Sequence, residues 1–123
     1  MQNKFIPYGK QDITEHDINS VVEVLKSDFL TQGEKVPEFE DRICELINVK
    51  FATAVNSATS ALHLACLALG LKKGDILWTS PITFVASANC GRYCGAEVDF
   101  VDIDNNTGLI SIEKLKIKLN QAK

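Results

Sequence analysis

Three short apolar runs, KFATAV, ILWTS and EVDFVDI, alternate with longer segments of helical texture, and that alternation limits what the chain can fold into. Apolar runs of about 4–8 residues bounded by turn signals read as buried strands. The first is followed by an Ala/Leu segment predicted helical from about Ser57 to Leu69. LKKGD then turns the chain into ILWTS, which Pro81 breaks. TFVASANCGRYC predicts a helix ending near Gly95, EVDFVDI a third strand, and SIEKLKIKLNQAK a last helix capped by Ser111. Two helices precede this series. In the first, Thr14 is a candidate N-cap, Asp17 supplies first-turn negative charge, and Ile18, Val21, Val22 and Leu25 form a stripe. In the second, Pro37 suits the first helical position, and Phe39, Ile43, Leu46 and Ile47 make the apolar face. Residues 1–13, punctuated by Pro7 and Gly9, read as an extended arm. Two helices followed by β-α-β-α-β-α predict an α/β fold with a mainly parallel sheet and right-handed crossovers.

Three parallel strands make a thin sheet with two edges, and parallel sheets are normally covered on both faces. A further strand is expected after the last helix. The chain is therefore expected to be a fragment of a longer protein, or to need a partner chain to finish its sheet. No linker divides it.

At 46% hydrophobic and 24% charged, the chain can build a packed core. Lys and Arg are scattered among acids at a net charge of -3, so no nucleic-acid footprint is expected. No run approaches the roughly 18 apolar residues of a membrane span, and the N-terminus lacks the apolar core of a signal peptide, so a cytoplasmic protein without membrane contact is expected. Cys44, Cys66, Cys90 and Cys94 form no CxxC pair, and His16 and His63 lie far off in sequence. Reduced, mostly buried thiols are expected, and no metal site.

The turn after Val55 carries Asn56-Ser57-Ala58-Thr59-Ser60, many hydroxyls and little bulk. In open α/β sheets, ligands bind beyond the carboxyl ends of the strands. The first amides of the next helix have no intrahelical acceptor, and the helix dipole adds partial positive charge. Small side chains let an anion approach, and Thr59 adds a hydroxyl. The alternative is that Ser57 or Asn56 only caps the helix. There is no GxxxxGK[ST], no GxGxxG after a strand and no GxSxG elbow. Phe84 falls near the next helix start, where it could stack on a flat ring or belong to the core. Asp102 and Asp104 read better as strand-end polar residues, and His63 as a packed histidine, than as catalytic groups.

Three stretches carry a family resemblance: FLTQGEKVPEFEDRICELINVKFATAVNSATSALHLACLALGLKKGD, then SPITFVASAN, then GAEVDFVDID. In this order they resemble the N-terminal third of the DegT/DnrJ/EryC1/StrS family of sugar aminotransferases, and NSATSAL and SPITFVASAN look most like the branch that aminates a 4-keto UDP-N-acetylhexosamine towards pseudaminic acid. The resemblance implies the aspartate-aminotransferase fold (pyridoxal-phosphate fold type I). Residues 1–123 would form a single N-terminal portion of its large, cofactor-binding domain. It implies pyridoxal 5'-phosphate as cofactor, with the amides around Ala58 and Thr59 and the Thr59 hydroxyl on the phosphate and Phe84 on the ring. Ala58 stands where the family often has glycine. Tyr8 and Thr31 would lie near the sugar substrate or the dimer partner. A nucleotide-linked keto-sugar and glutamate would be the reactants of the complete, homo-oligomeric enzyme. The family's Schiff-base lysine is expected beyond residue 123, so no catalytic residue is assigned and the isolated chain is expected to be inactive. Two alternatives remain: an inactive, self-associating α/β module, and a fragment of a related sugar dehydratase.

Overall fold

The computed structural model describes residues 7–122. The chain divides into two compact units, one ending at Ala54 and the other beginning at Val55. Of the arm expected over residues 1–13, residues 1–6 lie outside the described residues, and 7–13 have no regular secondary structure.

The first unit holds helices α1 (Glu15–Leu25) and α2 (Lys35–Ile47). Thr14 caps α1 in a reciprocal box: its hydroxyl accepts from the Asp17 amide at 3.4 Å, and the Asp17 carboxylate accepts from the Thr14 amide at 2.7 Å. The carboxylate is held below its usual range by those contacts with Thr14. α2 starts two residues earlier than Pro37 predicts, which leaves the proline third in the helix. The position is tolerated because first-turn amides lack intrahelical acceptors in any case. Asn48 ends α2 in the left-handed conformation at φ 53°. The expected apolar stripes form but find little cover. Val22 and Ile43 are half-buried, whereas Ile18, Val21, Leu25, Phe39, Leu46 and Ile47 stay exposed.

The second unit runs through helix α3 (Ala58–Ala68), strand β1 (Ile76–Thr79), helix α4 (Ala86–Tyr93), strand β2 (Glu97–Phe100) and helix α5 (Ile112–Gln121). β1 and β2 are parallel, with Leu77 opposite Val98 and Trp78 opposite Asp99. The chain is thus α/β, with a small parallel sheet and five helices among the described residues.

The first expected strand is the correction. Residues 51–55 run without a ladder partner among the described residues. The Ala54 amide donates instead to the Glu40 carboxylate at 2.7 Å. A strand exists only when a neighbouring strand accepts its backbone groups, and β1 pairs with β2.

The core of the second unit lies where α3 meets α4 and α4 meets the sheet. Cys66, Ala86, Cys90, Ala96 and Val101 are buried there. Burial pushes the Cys66 thiol up to about 11, with contacts to Cys90 and Cys94 adding to the shift. Alternation along the strands puts Leu77 and Val98 under α4, and Trp78 and Asp99 on the other face. Lys118 reaches that face from α5, its ammonium 2.5 Å from Asp99 and 5.8 Å from the centre of the Trp78 ring. Between β2 and α5, Asp104 closes a turn by accepting from the amides of Asn106 and Thr107 at 2.8 and 3.2 Å. Ser111 caps α5, accepting from the Lys114 amide at 3.3 Å.

Candidate functional site

The small-residue turn resolves into two separable parts. Ser57, extended at φ -163° and ψ 155°, is the N-cap of α3 and accepts from the Ser60 amide at 3.2 Å. The Asn56 side-chain oxygen accepts from the Ser60 hydroxyl at 2.7 Å and from the Ser57 hydroxyl at 3.3 Å. Three polar side chains therefore satisfy one another and a single amide. The amides of Ala58 and Thr59 are left with no acceptor among the described residues, and the Thr59 hydroxyl has none either.

Electrostatics distinguishes this helix start from those of α1, α2 and α5. Each of the latter carries its own carboxylate in the first turn: Glu15 and Asp17, Glu38, and Glu113. α3 carries none. Its partial positive charge is therefore not answered from within its own first turn. Two free amides and one hydroxyl on a half-buried threonine can accept a small dianion. The Ser57 cap leaves these donors free, because it uses the Ser60 amide instead.

Phe84 is not a core residue: it is 74% exposed. It lies in the turn between β1 and α4, two residues before the helix, with its carbonyl accepting from the Ser87 amide at 3.0 Å. Sequence periodicity starts α4 at Thr83, but the helix begins at Ala86, and Val85 at its cap makes no side-chain hydrogen bond. Phe84 thereby leaves the helical face and presents its ring to solvent. α3 and α4, at whose starts Thr59 and Phe84 stand, pack against each other.

Tyr8 and Thr31 are exposed residues of the first unit. Thr31 precedes Gln32, whose φ of 55° turns the loop sharply. A cavity of about 350 Å³ opens in the same stretch, its lining including Glu23, Val24, Ser27, Phe29, Leu30 and Gly33. Thr31 does not line it, and no sequence motif had pointed to it.

The remaining candidates have structural roles. His63 stacks edge-on against Tyr93 with ring centres 5.3 Å apart. Asp102 pairs with the Lys114 ammonium at 2.6 Å, which holds its carboxyl below the usual range, helped by the Ile103 amide. The four cysteines are free thiols: Cys66 and Cys90 are buried, Cys44 and Cys94 half-buried.

Known proteins resemble this chain in sequence and fold. The DegT/DnrJ/EryC1/StrS aminotransferase family matches residues 11–123. The UDP-4-amino-4,6-dideoxy-N-acetyl-beta-L-altrosamine transaminase of Campylobacter jejuni (strain 81-176) is 49% identical over 93% of this chain and 30% of its own length. Among solved structures, Helicobacter pylori PseC, an aminotransferase involved in the biosynthesis of pseudoaminic acid, superposes with TM-score 0.85 at 36% identity. That match covers 93% of this chain and 31% of PseC. The E. coli GDP-4-keto-6-deoxy-D-mannose-3-dehydratase with bound hydrated PLP superposes with TM-score 0.83 at 31% identity, over 90% of this chain and 30% of the dehydratase. The chain thus spans about 30% of the length of the relatives it matches.

Proposed function

The chain belongs to the DegT/DnrJ/EryC1/StrS aminotransferase family, and on that premise we propose that it is the N-terminal portion of a pyridoxal-phosphate-dependent nucleotide-sugar aminotransferase. Both units belong to the large, cofactor-binding domain of that enzyme. The observation that carries the proposal is the start of α3, where two free amides and the Thr59 hydroxyl stand with no acidic side chain in the first turn.

The residues present fit the phosphate end of the cofactor. Ala58 and Thr59 donate their amides to the phosphate, and Thr59 adds its hydroxyl. The alanine methyl in place of a glycine hydrogen is compatible with the helical backbone there. Phe84, exposed in the turn before α4, supplies a face for the pyridine ring. When bound, pyridoxal phosphate supplies the electron sink that lets an amino group move between carbon skeletons. This chain's share of the work is to bind and orient. None of its lysines is assigned the cofactor-anchoring role, and no proton transfer is assigned to any of its side chains.

The substrate of the complete enzyme is a nucleotide-linked keto-sugar, of the UDP-4-keto-hexosamine class in view of the Campylobacter and Helicobacter relatives. Glutamate is the amino donor. Tyr8 and Thr31 serve the sugar or the partner subunit of a cytoplasmic homo-oligomer. The likeness to the dehydratase supports a second reading, a sugar 3-dehydratase of the same fold, with the same residues on the cofactor phosphate.

A titration of the chain with pyridoxal phosphate, followed by absorbance, tests the seat. Weak saturable binding that inorganic phosphate competes away, and that Thr59→Val abolishes, is expected. Binding unaffected by Thr59→Val, or no binding in either protein, overturns the assignment.

A further inference from the structure

Asparagine is followed by serine twice in the chain, at Asn19-Ser20 and Asn56-Ser57, and never by glycine. A small following residue lets the next backbone nitrogen reach the asparagine carboxamide, so these two pairs are the least hindered places for an asparagine to cyclise onto its own chain. The structure separates them. Asn19 and Ser20 lie inside α1, where the Ser20 amide belongs to the helical ladder. Asn56 and Ser57 are exposed and precede α3, and the Ser57 amide has no acceptor among the described residues.

The surroundings of Asn56 favour attack on its side chain. Asn56 Oδ1 accepts from the Ser60 hydroxyl at 2.7 Å and from the Ser57 hydroxyl at 3.3 Å. Both donors polarise the carboxamide carbon, and the Ser60 hydroxyl stands at the distance that suits a developing oxyanion. The Ser57 contact turns the Asn56 side chain toward the residue whose amide is the nucleophile. The start of α3 adjoins the pair with no acid in its first turn, so its dipole favours negative charge developing there.

We propose that Asn56-Ser57 is a self-modifying site, which deamidates and leaves a carboxylate that silences the phosphate seat at Ala58 and Thr59. The Ser57 amide nitrogen gives its proton to hydroxide and bonds to Asn56 Cγ, while Oδ1 takes the charge between the two hydroxyls. The Cγ–Nδ2 bond then breaks, Nδ2 takes a proton from water, and ammonia leaves a five-membered succinimide. Water opens the ring to aspartate or isoaspartate. The new carboxylate stands before the helix start that otherwise carries no acid, where it repels a phosphate dianion. The silencing rests on the cofactor reading; the deamidation does not.

Incubation of the chain in mildly alkaline heavy-oxygen water, followed by peptide mass spectrometry, tests this. Asn56 is expected to take up label about tenfold or more faster than Asn19, whose helical amide must first open. Ser60→Ala keeps the backbone cap and is expected to slow uptake at residue 56 by about tenfold. Asn56→Gln, whose ring would be six-membered, is expected to stop it. The deamidated chain, resolved by anion exchange, is expected to bind pyridoxal phosphate about tenfold more weakly than the parent, and Asn56→Asp to reproduce that loss with thermal unfolding unchanged. Equal labelling of Asn56 and Asn19, unchanged uptake in Ser60→Ala, or undiminished binding by Asn56→Asp overturns the proposal. Fast labelling of Asn56 in a chain that binds no pyridoxal phosphate before or after supports the deamidation and counts against the cofactor reading.

Discussion

Gly91 of α4 lies directly over Leu77 of β1. A methyl group built on Gly91 would stand 2.9 Å from Leu77 Cδ2, 3.0 Å from Leu77 Cβ and 3.2 Å from Val98 Cγ2. The helix packs this close to the sheet because that position carries no side chain. The same approach buries Cys90 and Ala86 beside it.

Gly91→Ala is therefore expected to destabilise the second unit although alanine is the better helix former. Propensity favours alanine by about 1 kcal/mol, and overpacking costs about 1–3 kcal/mol. A net loss of about 1 kcal/mol follows from the two. Urea unfolding checks it, and a stabilised variant would refute the close packing.

Ser57 and Thr59 should separate cap from seat. Ser57→Ala removes the acceptor of the Ser60 amide and is expected to cost about 1 kcal/mol of stability. Thr59→Val removes no hydrogen bond within the described residues, so it is expected to leave thermal unfolding unchanged while phosphate competition disappears. Equal loss of stability in both variants would contradict the division.

Acid should release α5 before it unfolds α3. Asp99 is held below its ordinary value of 3.8 by the Lys118 ammonium first and the Phe100 amide second. Asp102 is held down likewise by Lys114 and the Ile103 amide. A depressed carboxyl contributes stability that is fully present above its unfolded value and is lost as pH falls through the folded one. The contribution of both pairs is thus intact at neutral pH and fades below about pH 4. Exchange of the α5 amides as a function of pH reports the release, and Asp99→Asn should abolish part of the dependence.

The thiols should react in an order set by burial. Cys66, raised to about 11 and buried, is expected to resist iodoacetamide at pH 8, whereas the half-buried Cys44 and Cys94 are alkylated first. Mass spectrometry of partially modified protein gives the order, and early modification of Cys66 would show that the packing of α3 against α4 opens readily.

The caps were legible because they are local. Thr14 with Asp17, Ser57, and Ser111 act within four residues, and each was placed from its neighbours in sequence. The free amides at the start of α3 were legible for the same reason: they are the first amides of one helix. Phe84 was not decided by periodicity, which allowed a core residue as readily as an exposed one. It depended on where α4 starts, which is Ala86 rather than Thr83.

By itself the sequence determined the starts of α1, α3 and α5, the alternation of helices and apolar runs, the family motifs, and the small residues that keep the α3 amides accessible. Each depends on backbone chemistry within a few residues or on side-chain order along the chain. Only the tertiary structure decided that residues 51–55 find no ladder partner among the described residues, that Leu77 needs a glycine above it, and that Lys118 reaches from α5 to Asp99 and the Phe100 carbonyl. Those outcomes turn on which segments meet, and a strand's hydrogen bonds, unlike a helix's, are completed by residues far away in the chain.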